Sequence, residues 1–148
     1  MNATPAADSQ GVETAGERTG GCLCGRIRFI TRGPAVFPHT CSCPHCQKLG
    51  GGPMMWWAGF APDDVIWTGQ GREPTWFETF EGEAKRGFCP RCGTRLAAID
   101  SDVPELGINV TALDDTSDHD LIPVNQSFRS NAVHWLSQVP DAQNSPIG

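Results

Sequence analysis

Seven cysteines in three tight groups constrain the fold of this 148-residue chain more than any other feature. The groups are Cys22 and Cys24, then Cys41, Cys43 and Cys46, then Cys89 and Cys92. Cysteines two or three positions apart can direct their sulfur atoms at one metal ion, and two such pairs complete a tetrahedron. An odd number of cysteines without a visible secretory signal argues against a disulfide framework. The spacing therefore predicts metal ligation.

The strongest of these motifs is Cys-Pro-Arg-Cys-Gly at residues 89–93. A glycine after the second cysteine permits a positive φ and therefore a tight turn. Such a turn can direct backbone N–H groups at the sulfur atoms. The motif at residues 22–24 is weaker by itself, but glycines on both sides of it strengthen the same interpretation.

Seven ligands divide most naturally into four and three. Cys41, Cys43 and Cys46 lie within six residues of chain, so they must surround one point. The other four then form a closed site. A closed set of four cysteines is typical of structural zinc, whereas three protein ligands and an open position are typical of catalytic zinc.

Spacing alone leaves alternatives open. The last two cysteines of the triplet could pair with Cys89 and Cys92, although the interval is longer than the roughly 15–20 residues of zinc ribbons. A histidine could also complete the second site. His39 and His45 lie beside the triplet, where each is a candidate ligand or acid–base group, and the simpler interpretation of each is a solvated loop histidine.

The formal net charge of −6 and the scattered basic residues argue against nucleic acid as a partner, because phosphate binding needs clustered cations. Lys85 and Arg86 are interpreted as a solvated strand end. No apolar run approaches the roughly 18 residues of a membrane span, and no signal peptide is visible. We expect a cytoplasmic protein with no membrane partner, one domain over residues 20–140, and disordered tails at 1–19 and 141–148.

Short alternating or apolar segments between glycine- and proline-rich turns predict a mainly β domain. The predicted strands are 26–31, 54–60, 65–68, 75–80, 94–99, 106–110 and 124–128. A single helical turn is predicted at 132–136. Trp56 and Trp57 are neighbours on a predicted strand and should face opposite sides of the sheet.

The cysteine motifs stand in a recognisable order with others. They are Gly-Cys-Leu-Cys-Gly at 21–25, Cys-Ser-Cys-x-x-Cys at 41–46, Phe-Cys-Pro-Arg-Cys-Gly-Thr-x-Leu at 88–96, Leu-Asp-Asp at 113–115 and Ser-x-x-x-x-Trp at 130–135. Together they resemble the glutathione-dependent formaldehyde-activating enzyme family, which shares its domain with centromere protein V. The resemblance covers about residues 20–136. It implies an Mss4-like fold of β-sheets stapled by two zinc ions, with the division into four and three cysteines.

The resemblance also implies a function. It indicates a carbon–sulfur lyase, similar to S-(hydroxymethyl)glutathione synthase, whose partners are a small-molecule thiol such as glutathione and an aldehyde such as formaldehyde. Cys41, Cys43 and Cys46 would hold the open zinc. The chemistry of such a site adds two expectations: this zinc is the more labile one, and Lys48 pairs with a substrate carboxylate. The alternative is a non-enzymatic module in which two structural zinc ions serve a protein partner. Three features depart from the family's usual pattern. Ser42 replaces a histidine, Gln47 replaces an arginine, and Leu-Gly-Gly-Gly-Pro at 49–53 replaces a segment rich in serine and glycine.

Overall fold

The computed structural model describes residues 16–139. Its strands are β1 (Arg18–Gly21), β2 (Arg28–Thr31), β3 (Val36–Cys41), β4 (Met55–Phe60), β5 (Val65–Trp67), β6 (Thr75–Phe80), β7 (Ala84–Phe88), β8 (Arg95–Asp100), β9 (Leu106–Asn109) and β10 (Gln126–Ser127). One α-helix, α1 (Pro44–Gly50), lies between β3 and β4. Short 3-10 helices follow at Pro62–Asp64, Val110–Ala112, His119–Leu121 and Arg129–Asn131. The mainly β prediction is confirmed.

The strands form two sheets. The smaller sheet is antiparallel with the order β1-β2-β5. The larger has the order β10-β3-β4-β9-β8-β7-β6, and within it only β10 and β3 run parallel. A bridge between Gly20 and Leu113 ties β1 to the segment that follows β9.

Side chains alternate between two apolar clusters along β4, as the period of a strand requires. Ala58 and Phe60 belong to the main core, which also contains Cys22 and Cys89. The intervening side chains join a second, smaller cluster made of Cys41, Cys46, Met55, Trp57 and Ala98. The two cysteine groups therefore lie in different apolar environments, on opposite sides of β4.

The helix α1 carries the last cysteine of the triplet. Cys43 caps its N-terminus, with the sulfur accepting a hydrogen bond from the Cys46 N–H at 3.3 Å. Pro44 begins the helix, where its missing N–H costs nothing. Gly51 ends it in the left-handed conformation (φ 78°), and its N–H donates to the Gln47 carbonyl. Local sequence thus fixes both ends of the helix.

Some elements differ from the sequence predictions. The helical turn at 132–136 is wrong: these residues form turns and bends, because Ala132 adopts an extended conformation (ψ 147°) that ends the preceding 3-10 helix. Strands β1, β3 and β7, and the helix α1, were not predicted. β7 has β6 and β8 as hydrogen-bonding neighbours on its two sides, a stabilisation that its own sequence does not reveal.

The ordered domain also begins earlier than predicted. β1 begins at Arg18, inside the predicted tail 1–19, so the ordered domain begins before residue 20. The rest of that tail, residues 1–15, and the predicted tail 141–148 lie outside the described residues. No helix within residues 16–139 is long and apolar enough to cross a lipid bilayer.

Gly20 provides a test of the β1 packing. A Cβ at this position would lie 2.6 Å from the Ala112 carbonyl oxygen and 2.6 Å from the Phe29 ring. We expect Gly20→Ala to lower the free energy of unfolding by about 1–3 kcal/mol, because backbone must move to relieve the contact. Gly52→Ala is the matched control, since a Cβ there meets nothing closer than 4.0 Å. Urea denaturation of the metal-loaded protein measures both, and equal stabilities would contradict the expectation.

Candidate metal centres

The first centre brings together four cysteines from the N-terminal part and the middle of the domain. The sulfur atoms of Cys22, Cys24, Cys89 and Cys92 all lie within 4.8 Å of one another. One pair precedes β2 and the other precedes β8, so the cluster joins the two sheets. Cys22 and Cys89 are buried, while Cys24 is exposed at the surface. The predicted closed set of four is the set that the structure assembles.

The spacing of these sulfurs fits a metal ion. A tetrahedral ion with metal–sulfur bonds of about 2.3 Å separates its ligand sulfurs by about 3.8 Å. The Cys22 and Cys24 sulfurs are 3.6 Å apart, and those of Cys24 and Cys89 are 3.8 Å apart. The cluster can therefore accept an ion with little rearrangement of the backbone.

Backbone amides support the sulfurs, as the turn motif predicts. The Cys89 sulfur accepts hydrogen bonds from the N–H groups of Arg91 (3.3 Å) and Cys92 (3.4 Å). Gly93 has a φ of 82° and donates to the Cys89 carbonyl. Such N–H donors stabilise the thiolate form, which is the form that binds a metal. The same arrangement recurs at Cys22, whose sulfur accepts from a backbone N–H at 3.3 Å.

Thr94 joins the two turns of this centre, a role that the sequence analysis did not assign. Its hydroxyl accepts a hydrogen bond from the Leu23 N–H at 3.0 Å and lies 3.2 Å from the Cys92 sulfur. With the hydroxyl oxygen accepting from Leu23, its proton is available to Cys92. Burial raises the pKa of Cys92, but hydrogen bonds with Thr94, the Cys24 backbone and the Cys89 side chain together outweigh it, and the net pKa falls to about 5.

The second centre contains the three cysteines of the triplet. The sulfurs of Cys41, Cys43 and Cys46 lie within 4.8 Å of one another. Cys41 ends β3, Cys43 caps α1 and Cys46 lies in its first turn, so strand and helix converge on one point. Cys41 and Cys46 are buried, and Cys43 is half-buried.

In this centre the pKa values of the Cys41 and Cys46 thiols shift in opposite directions. A hydrogen bond between Cys46 and Cys41 lowers the pKa of Cys41, and the same interaction raises the pKa of Cys46. Three thiolates this close repel one another, so they cannot all ionise without a compensating charge. A divalent cation supplies that charge, and the donor set therefore fits a metal ion.

No fourth ligand completes the second centre from the described chain. Among residues 16–139, no histidine, aspartate or glutamate joins the three sulfurs. His39 instead stacks on Phe37, with its Nδ1 2.9 Å from the Phe37 carbonyl oxygen. The ring of His45 packs against Phe80 at 4.6 Å. Burial lowers the pKa of both histidines.

Two of the departures from the family pattern, Ser42 and Gln47, tie the second centre to the C-terminal part of the domain. Ser42 is fully buried, and its hydroxyl accepts a hydrogen bond from the Gln126 side chain at 3.1 Å. The Gln47 amide donates to the carbonyls of Pro53 and Asn131. Both side chains are therefore engaged within the protein.

Arg86 is a neighbour of the second centre that the sequence analysis missed. Far from being a solvated strand end, its side chain is only 14% exposed. It forms an ion pair with Asp100 at 3.0 Å and lies over the Trp57 ring. Its positive charge helps to lower the pKa of Cys41. Only the pairing of β7 with β8 brings it there, so no local signal in the sequence could have revealed it.

A groove with a volume of about 620 Å³ is lined by residues that adjoin both centres. They include the turn at Cys92 of the first centre, and Leu49 and Gly50 at the end of α1, the helix that carries Cys46. A much smaller crevice, lined by Cys46 and Trp57 among others, adjoins it. The tryptophans divide as predicted: Trp57 lies in the second cluster, while Trp56 lines the groove and donates to the Leu121 carbonyl.

Lys48, the predicted partner of a substrate carboxylate, is exposed on the last turn of α1. It lines neither the groove nor the crevice. Its role at the site stays a prediction.

These features define the class of domain to which the chain belongs. Two β-sheets stapled by a four-cysteine cluster, with a three-cysteine cluster able to hold a second metal ion, make this an Mss4-like metal-binding domain. The family model for the glutathione-dependent formaldehyde-activating enzyme matches residues 17–131, and the chain belongs to that family.

A solved structure supports the fold independently. The crystal structure of a Rhodobacter sphaeroides protein from a structural genomics programme aligns with a TM-score of 0.54 and 22% sequence identity. The alignment covers 74% of this chain and 99% of that one. At this identity the likeness concerns the fold. A search of curated proteins finds no match.

Proposed function

We propose that the protein is a zinc-dependent enzyme that binds a low-molecular-weight thiol at the three-cysteine centre and forms or breaks its adduct with a small aldehyde. The observation that carries this proposal is the contrast between the centres. Four sulfurs surround one point, whereas three surround the other with no fourth ligand from residues 16–139. Closed and open ligand sets are the patterns of structural and catalytic zinc.

Zinc is the metal that the ligands favour. Thiolate-only sets of four are typical of structural zinc sites, and soft sulfur donors favour zinc over magnesium, calcium or manganese. The sulfur spacings of 3.6 and 3.8 Å agree with zinc–thiolate bond lengths. We assign Cys22, Cys24, Cys89 and Cys92 to the structural ion and Cys41, Cys43 and Cys46 to the open one.

Residues of this chain would position the ligands of the open site and shield it from water. When bound, zinc would supply a position at which a thiol is held as its thiolate. Cys41, Cys43 and Cys46 fix that position between β3 and α1. Trp57 and Met55 exclude water from its inner side, which strengthens electrostatic interactions there. Three anionic ligands make the ion a weak activator of water, so thiol chemistry is favoured over hydrolysis.

The family name supplies the substrates of the proposal, glutathione and formaldehyde. In the forward direction a bond forms between the thiol sulfur and the aldehyde carbon, and the proton lost by the thiol ends on the former carbonyl oxygen. The reverse reaction breaks that carbon–sulfur bond and is lyase chemistry. No oxidant or reductant is required in either direction.

Exchange spectroscopy tests the proposal directly. We expect the zinc-loaded protein to accelerate the interconversion of glutathione, formaldehyde and S-(hydroxymethyl)glutathione above the rate in buffer, measured by NMR magnetisation transfer. Lys85→Ala, an exposed change on β7, should retain the acceleration. A wild-type rate equal to that of buffer, with both metals bound, would remove the formaldehyde reaction and favour the non-enzymatic zinc module.

A further inference from the structure

We propose that the groove adjoining the two centres binds the anionic part of the thiol substrate and that Arg95 is the residue that recognises its carboxylate. This inference rests on the proposed function, because it names the substrate class of the same site. It predicts a preference for thiols that carry a carboxylate remote from sulfur over small neutral thiols.

The groove has the size and position of a site for the remote part of a substrate. Its volume of about 620 Å³ falls within the roughly 300–1,000 Å³ of small-molecule sites. Leu49, Met55 and Arg95 line both the groove and the crevice beside Cys46. In this arrangement the ligand's sulfur would lie at the three-cysteine centre and its remote part along this shared wall.

The charge of the groove favours an anion. Arg95 is its one charged side chain apart from the cysteine ligands, since no aspartate, glutamate, lysine or histidine of the described chain lines it. This is unusual in a protein with a net charge of −6. A carboxylate arriving here meets a cation without passing an acidic side chain.

Arg95 is held in place but has no anionic partner in the described part of the chain. Its Nε donates to the Leu49 carbonyl at 2.7 Å, and its guanidinium lies over the Phe88 ring at 5.2 Å from the centroid. Among residues 16–139 no carboxylate lies within 4.0 Å of it, whereas Arg86 and Arg28 have Asp100 and Asp114 as partners. The terminal nitrogens of Arg95 remain available for a carboxylate, which guanidinium binds with two parallel hydrogen bonds.

Thr40 and Trp56 form another part of the groove wall. Thr40 is 5% exposed, and its hydroxyl oxygen is buried. Opposite Thr40 in the β3–β4 register, Trp56 offers an apolar wall for the ligand's carbon atoms.

Lys48 is the alternative candidate for binding the substrate carboxylate. It lies exposed on α1 and lines neither cavity, so a carboxylate bound there would remain in water. Exposed pairs of this kind contribute little free energy, because water screens them. Arg95 lies within the cavity wall, where a charge-assisted hydrogen bond is stronger.

Calorimetric titration of the zinc-loaded protein with S-methylglutathione tests the inference. This thioether keeps the carboxylates and cannot become a thiolate, so its binding reports on the groove. We expect Arg95→Gln to weaken its binding by about 10–100-fold, the loss of a hydrogen bond to a charged group. Arg95→Lys, which keeps the charge, should lose less. Arg72→Ala, an exposed arginine outside the groove, should bind like wild type.

The outcomes separate this inference from the proposed function. Failure of wild type to bind S-methylglutathione, equal binding by wild type and Arg95→Gln, or a loss confined to Lys48→Ala would each overturn it. Acceleration of glutathione–formaldehyde exchange by wild type would still support the proposed function in all three cases. If S-methylglutathione binds through Arg95 but no exchange is catalysed, the groove assignment stands and the proposed reaction fails. Metal content and near-ultraviolet circular dichroism establish that each variant is folded.

Discussion

Cys89→Ser should abolish the folded state under conditions in which the wild type is stable. The Cys89 side chain is fully buried in the main core, and its sulfur receives two backbone N–H groups. Loss of this ligand opens the four-cysteine site. Structural zinc binding contributes about 10–16 kcal/mol in small zinc domains, as much as the entire 5–15 kcal/mol stability of a typical domain. An ion held by these four cysteines would join the two sheets, so losing one ligand should unfold the domain.

The measurement combines metal content by mass spectrometry with thermal unfolding followed by near-ultraviolet circular dichroism. Ala58→Ser is the matched control, because it places the same hydroxyl in the same core without removing a ligand. We expect it to cost about 1–3 kcal/mol and to leave the metal content unchanged. A Cys89→Ser protein that unfolds cooperatively near the wild-type temperature would contradict the structural assignment of this site.

The partition of the cysteines could be predicted from sequence because each group is local. Cys41, Cys43 and Cys46 cannot separate by more than a few residues of chain, and the turn at residues 89–93 is encoded by its own glycine. The rival pairing of the triplet with the 89–93 turn is not what forms, because the sulfurs of residues 22 and 24 occupy that position.

The surroundings of the metal centres could not be predicted, because they depend on strand register. Arg86 reaches the second centre only because it is paired with Ala98 across β7 and β8. Arg95 meets Leu49, which is 46 positions away in the chain. The helix α1 was missed because its N-terminal cap is a cysteine, a residue that sequence rules do not count among capping residues.

Cys43→Ser should remove one metal ion and leave the protein folded. The second centre belongs to a small cluster on the opposite side of β4 from the main core, and Cys43 is its most accessible ligand. Serine is a preferred capping residue, so it can keep the hydrogen bond to the Cys46 N–H that stabilises α1. The variant therefore separates loss of the ligand from loss of the helix.

Metal content should fall from about two ions per chain to about one, and catalysis of the glutathione–formaldehyde exchange should be lost. Wild type treated with a mild chelator should reach the same state, because an ion held by three protein ligands dissociates before one enclosed by four. Cys43→Ala is the control for the helix: it should lose the same ion and, in addition, about 0.5–2 kcal/mol of capping free energy. A Cys43→Ser protein that retains both ions would mean that another group ligates the second metal. The open coordination position, on which thiol binding depends, would then not exist.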